Sequence, residues 1–255
     1  MRGSTASFLK AARAALFQSL RHNDAPLHLV HPSGTTAANA TDVSFNWSGY
    51  ADELSKKGSF STVSANWTVP TVSCPTDEDQ ISSEWVGLDG ATDSTVEQDG
   101  TIGQCFEGQA VYYTWYELYP SPTVIEGSTL SPGDQVGASV TRVKTNYTLT
   151  VTDTTDGANS FSVTGKCGQS KCKDTSAEWI MERPEFPATG LVPLADFGTW
   201  SPTAAAVTAS TAGNISSFGP ESIDMGDSTG TYNLDTVIPD TGATNGFAVT
   251  WGNSY

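Results

Sequence analysis

Three segments set carboxylates beside aromatic side chains at the two-residue spacing of a β-strand. In Ser176-Ala-Glu-Trp-Ile-Met-Glu182, alternation puts Glu178, Ile180 and Glu182 on one face and Trp179 and Met181 on the other. Tyr113, Trp115 and Glu117 share a face in a second segment, and Trp85 and Asp89 in a third. Apolar surroundings disfavour the ionised form and raise a carboxyl pKa. A face of this kind can therefore hold a group that takes or gives a proton during a reaction. One such strand is an ordinary solvated sheet face; three together read as a substrate groove.

The chemistries open to that groove are narrowed by what the chain lacks there. All three histidines, His22, His28 and His31, precede position 41. If that arm is not part of the working domain, a Ser-His-Asp triad, a Cys-His pair and a His-ligated metal are excluded. The four cysteines point to disulfides and an oxidising compartment. Of the three possible pairings we expect Cys74–Cys105 and Cys167–Cys172, the second closing a tight Cys-Gly-Gln-Ser-Lys-Cys loop. Oxidised cysteines supply no thiolate nucleophile. The spacing lacks the paired C-x-x-C hooks of a zinc site, so no metal or other cofactor is expected. Asp240-Thr241-Gly242 occurs once, whereas a pepsin-type site needs two facing carboxylates; its turn-forming neighbours mark it as a loop. Carboxylate, amide, tyrosine and lysine chemistry remain.

Charge narrows the partners. The formal net charge is −16, and residues 41–255 carry 8 Lys/Arg against 27 Asp/Glu. Nucleic-acid binding needs clustered cations and is not expected. Such a surface fits work in acid, where protonated carboxylates no longer repel one another. No apolar run approaches the ~20 residues that span a bilayer, so no membrane partner is expected. The composition, cysteines and sequons at Asn39, Asn46, Asn66, Asn146 and Asn214 point to a secreted protein, and we expect a monomer.

The elements that must position these residues fall into two parts. Residues 7–21 read as a helix, with Leu9, Ala12, Leu16 and Leu20 at three- and four-residue spacing and Lys10, Arg13 and Arg21 elsewhere around it. A flexible stretch, 32–41, follows. From Asn46 onward short β-rich runs are punctuated by Gly, Pro, Asn and Asp, which predicts an all-β, two-sheet antiparallel sandwich over 42–255. A cationic arm over 1–41 joined to an anionic domain reads as a pro-segment laid on its own enzyme.

The same segments resemble the glutamic peptidases (eqolisins), a family of acid endopeptidases. The resemblance runs from about Asn46 to Met225. It is carried by Asn46-Trp-Ser-Gly-Tyr, Ala65-Asn-Trp-Thr-Val-Pro, Trp85-Val-Gly-Leu-Asp-Gly, Trp115-Tyr-Glu-Leu-Tyr-Pro, Ser131-Pro-Gly-Asp, Ala177-Glu-Trp-Ile-Met-Glu-Arg-Pro and Leu194-Ala-Asp-Phe-Gly, in order. It implies a concanavalin A-like sandwich with a cleft on a concave face, peptide substrates, and a catalytic Glu–Gln pair acting through water. Carried over by motif, the pair is Glu178 and Gln98, while Trp47, Trp85, Asp89 and Glu117 line or support the cleft. Where fungal members have an acid four residues after the Gln, this chain has Ile102, and the loop before Gln98 is about one residue shorter. Gln104 is therefore the alternative glutamine. A second class of function, carbohydrate binding or glycoside hydrolysis on a similar sandwich, would use Trp47, Trp85 and Trp115 to stack on sugars. Glu178 and Glu182, about 13 Å apart along one strand, are too far apart for either glycosidase geometry.

Overall fold

The computed structural model describes residues 7–8, 10–14, 29–30, 42–127, 129–167, 172–186, 190–227, 233–239 and 245–254. The three histidines, the stretch 32–41 and Asp240-Thr241-Gly242 lie outside them.

Among the described residues, strands numbered in chain order build two large sheets. The first has nine strands in the order β1 (Leu29–Val30), β2 (Asp42–Ser44), β18 (Glu221–Met225), β3 (Trp47–Glu53), β12 (Ser176–Glu182), β5 (Gln80–Leu88), β6 (Val96–Phe106), β7 (Gln109–Tyr119) and β8 (Val124–Ile125). The second has six, in the order β11 (Phe161–Lys166), β10 (Asn146–Asp153), β9 (Gln135–Val143), β4 (Thr62–Thr68), β16 (Thr203–Thr208) and β17 (Ala212–Asn214). Two small sheets complete the set: β13 (Glu185–Phe186) with β14 (Gly190–Leu191), and β15 (Thr199–Trp200) with β20 (Phe247–Trp251) and β19 (Asp235–Pro239). The pairings are antiparallel except β2 with β18. This is the all-β sandwich that the strand punctuation predicts, with the three-stranded sheet as an addition.

Alternation decides which residues meet between the sheets. Ala177, Trp179 and Met181 of β12 and Val86 and Leu88 of β5 pack with Val63, Ala65 and Trp67 of β4 and Leu149 and Val151 of β10 in one buried cluster. The intervening residues of the nine-stranded sheet form a second cluster on its other face, with Trp47, Ile81, Trp85, Val96, Ile102, Tyr113, Trp115 and Ile180. Residues 7–8 and 10–14 are helical, and Ala12, fully buried, belongs to this second cluster. Phe8 packs on Phe106 with ring centroids 5.6 Å apart, and Arg13 Nη2 donates to the Ile125 carbonyl at 2.8 Å. The described part of the predicted helix thus lies on the face opposite the inter-sheet core.

Cys74–Cys105 and Cys167–Cys172 are disulfide-bonded, as expected from the spacing.

Candidate active site

Strand register brings the predicted pair onto one line. Glu178 of β12 pairs with Gly87 of β5, and Gly87 pairs with Gln98 of β6. The line continues to Glu117 of β7 on one side and to Ala51 of β3 and Glu221 of β18 on the other. Glu178 and Gln98 are thus two strand spacings apart, about 9–10 Å between Cα atoms, on the face that carries the second cluster. Gln104 sits six residues farther along β6, about 20 Å at strand rise, opposite Ile81 and Val111. The register therefore brings Gln98, and not Gln104, to Glu178.

The residue between the pair is a glycine, which opens the gap. A Cβ on Gly87 would come within 2.8 Å of the Trp85 ring and 3.3 Å of Val96. A side chain here would push on Trp85, whose Nε1 donates to Glu182 Oε2 at 2.7 Å. Trp47 meets Trp85 edge-on, centroids 4.8 Å apart at 79°. Glu182 thus orients one indole and that indole orients the next.

Gln98 is held in the same way. Its Nε2 donates to Glu117 Oε2 at 2.8 Å, and Thr123 Oγ1 donates to Glu117 Oε1 at 3.1 Å. One amide hydrogen is committed to Glu117; the second can donate elsewhere. Glu178 is fully buried, and among the described residues neither of its oxygens has a partner at hydrogen-bond geometry. Burial, the largest cause, holds its pKa well above the usual carboxylate range; Ser176 and the Ala91 amide pull it down, and repulsion from Asp89 and Glu53 adds to the rise. Such a carboxyl keeps its proton in acid and is a stronger base once ionised.

Asp89 departs from the alternation that pairs it with Trp85. The strand ends at Leu88, and Asp89 adopts a left-handed φ of 67°. Its carboxylate accepts from the backbone N–H groups of Lys173 (2.8 Å), Asp174 (2.7 Å) and Thr175 (2.9 Å). It therefore pins the segment leading into β12, and burial raises its pKa to about 6 despite those amides.

Sequence reasoning missed a set of carboxyls on the core side of the same sheet. Glu84 accepts from Thr101 Oγ1 at 2.6 Å and Ser82 Oγ at 3.3 Å, while Trp67 Nε1 donates to Thr101 at 3.0 Å across the sandwich. Burial raises Glu84 to about 8. Asp99, fully buried, has its pKa driven well up by burial. Asp235 accepts from Ser48 Oγ at 2.6 Å and is raised to about 8, again by burial. Glu97 is raised to about 9 by burial and by Asp89, Asp174 and Asp93. Its Oε1 lies 2.9 Å from Cys172 Sγ; a disulfide sulfur has no proton, so the hydrogen in that contact is the carboxyl's. Glu97, Cys167 and Cys172 also form the one close group of potential metal ligands among the described residues, but both sulfurs are committed to the disulfide. Alternation around Gln98 and Trp85 was the available signal for the inward direction of Glu97, Asp99 and Glu84.

Comparison with known proteins places this architecture. The Peptidase A4 family matches residues 45–246. Aspergillopepsin-2 of Aspergillus niger is 31% identical over 218 residues, covering 74% of this chain and 73% of that protein. Among solved structures, scytalido-glutamic peptidase with a transition state analog inhibitor is 25% identical with a TM-score of 0.67, covering 81% of this chain and 98% of that one. Aspergilloglutamic peptidase from Aspergillus niger is 28% identical with a TM-score of 0.58, covering 68% and 99%. The family match and the sandwich are those of a glutamic-type peptidase. The chain belongs to the Peptidase A4 family, the eqolisins.

Proposed function

We propose that this chain is a secreted acid endopeptidase in which Glu178 and Gln98 act together on water and the scissile amide. The observation that carries the reading is the shared row: a buried carboxyl and a clamped carboxamide face each other across Gly87. Ionised Glu178 takes a proton from water as the oxygen attacks the amide carbon, then passes it to the leaving nitrogen. The free N–H of Gln98 donates to the oxyanion that develops on the carbonyl, a task for a neutral donor. No covalent intermediate is needed. Glu117 keeps Gln98 oriented, Trp47 and Trp85 wall the cleft, and Asp89 fixes the backbone next to β12.

The N-terminal arm fits a pro-segment. Its helix buries Ala12 among the cleft-face aromatics and anchors Arg13 on Ile125. On this reading, removal of the arm admits water to that face, which would lower the Glu178 pKa toward the ionised form that the reaction needs. The arm is cationic and the domain anionic, so protonation of the carboxylates in acid loosens the contact and favours processing.

Carbohydrate binding draws no support from the aromatics, since Trp47 and Trp85 meet edge to face instead of offering a flat stacking platform. The direct test is incubation with an unfolded protein in acid. Peptides should be released, with no reducing sugar from glucans, and N-terminal sequencing should show loss of the arm. Pepstatin-type inhibitors and chelators should leave the rate unchanged. Intact substrate after processing in acid would overturn the proposal, and so would an active species that retains residues 7–21.

A further inference from the structure

The few cations of this acidic domain are not scattered. Residues 41–255 contain 8 Lys/Arg, and four of them, Lys57, Arg142, Lys144 and Lys166, line a single cavity of about 520 Å³. Among the described residues, Asp174 is the one carboxylate in its wall. The cavity lies between the turn joining β9 to β10, the end of β11 and the Cys167–Cys172 disulfide, and none of its lining residues belongs to the Glu178 row.

Its walls are built rather than loose. Arg142 is mostly buried, donating from Nε and Nη2 to the Phe60 carbonyl, from Nη2 to Gly58 and from Nη1 to Lys144, with Nε 3.0 Å from Asp174 Oδ1. Tyr147 donates its hydroxyl to the same Asp174 oxygen at 2.5 Å. Asp174 is thereby occupied, and Arg142 supplies fixed positive charge with most of its donors spent. Lys57, Lys144 and Lys166 are exposed residues of the same lining, so their ammonium groups can turn to a ligand in it. The disulfide at Cys167 fixes the chain next to Lys166.

From this arrangement we infer that the cavity binds a phosphate or sulfate ester group, at a site separate from the peptidase cleft. Three ammonium groups around a fixed guanidinium create a local positive field within a strongly negative domain. Each ammonium can give a charge-assisted hydrogen bond to an anionic oxygen. The choice of anion rests on the proposed work in acid, where a carboxylate ligand loses its charge while a phosphate ester, whose second pKa is about 6, keeps its first negative charge. A sulfate ester likewise stays ionised. The existence of the site does not depend on that choice. A ligand held here is tethered beside the segment that leads into β12, not in the cleft, so it would localise the enzyme on an anionic polymer without blocking cleavage.

The test is calorimetric titration of the full chain at about pH 5 with two probes, tripolyphosphate and sucrose octasulfate. Saturable binding is expected for at least one; which one binds distinguishes phosphate from sulfate as the source. Lys57→Ala, Lys144→Ala and Lys166→Ala combined should weaken it at least about tenfold, whereas Lys56→Ala, which removes the same unit charge beside the cavity, should change it less than about twofold. Peptide hydrolysis by the triple variant should match wild type, and its melting temperature confirms folding. Binding without hydrolysis would keep the site and remove the proposed function; hydrolysis without binding would do the reverse. No saturation up to about 10 mM of either probe would overturn the inference, as would a triple variant that binds like wild type or a Lys56→Ala loss equal to that of a cavity lysine.

Discussion

The two faces of the nine-stranded sheet bury carboxyls in different company. On the core face, Glu84 is tied to Thr101 and Ser82, and through Thr101 to Trp67 of the opposite sheet. On the cleft face, Glu178 has neither oxygen paired among the described residues. Lack of a partner does not by itself mark a reactive group, because the core-facing Asp99 also has both oxygens unpaired there. What separates Glu178 from Asp99 is its row. Asp99 lies between Val86 and Tyr116, whereas Glu178 looks past a glycine to an oriented amide. A buried carboxyl becomes chemistry when the sheet leaves room beside it and sets a donor across the gap.

On the amide side of the row, that contrast can be broken most severely at Gln98. Gln98→Ala removes one oxyanion donor and should lower kcat about a hundredfold to a thousandfold, with little change in melting temperature. Steady-state kinetics in acid decide this, and an undiminished kcat would make the row incidental. Gly87→Ala should come next. The new methyl meets Trp85 at 2.8 Å, and displacing the wall of the gap should cost about tenfold to a hundredfold in kcat/KM. Glu117→Gln keeps the size of the group that orients Gln98 but weakens a charge-assisted contact; a loss of about tenfold, mostly in kcat, is expected.

The core face predicts a change in stability and none in rate. Asp52 is raised to about 7, Glu84 and Asp235 to about 8 and Glu97 to about 9, in each case chiefly by burial. With raised folded pKa values, stability is fully present below the unfolded values and is lost as pH climbs toward each folded one. The melting temperature should therefore fall from about pH 4.5 toward pH 9. Each carboxyl still protonated in the fold contributes about 1.4 kcal/mol per pH unit, about 3–6 °C for a domain of this size. Asp99→Asn should flatten this fall by one such increment while leaving kcat within about twofold. A melting temperature that is flat or rises with pH would refute the assignment of neutral carboxyls to the core.

Much of the cleft face was legible in the sequence, and the reason is periodicity. Alternation alone placed Glu178, Ile180 and Glu182 together, and Tyr113, Trp115 and Glu117 together, as observed. It failed at Asp89, because one left-handed residue takes the chain off the strand, and nothing in Leu-Asp-Gly announces three amides arriving from residues 173–175. The pairing of Glu178 with Gln98 instead of Gln104 needed the register of β12, β5 and β6, and register between strands distant in sequence is a property of the packed sandwich. Glu84 and Asp99 escaped because acids read as solvent-facing until the opposite sheet covers them.

The central claim is tested most directly by Glu178→Gln, assayed in acid on an unfolded protein alongside a thermal melt. The substitution keeps size and much of the hydrogen-bonding capacity while removing the group that accepts the water's proton. A folded variant with no detectable peptide release is the predicted result; a folded variant that cleaves at the wild-type rate would contradict the account.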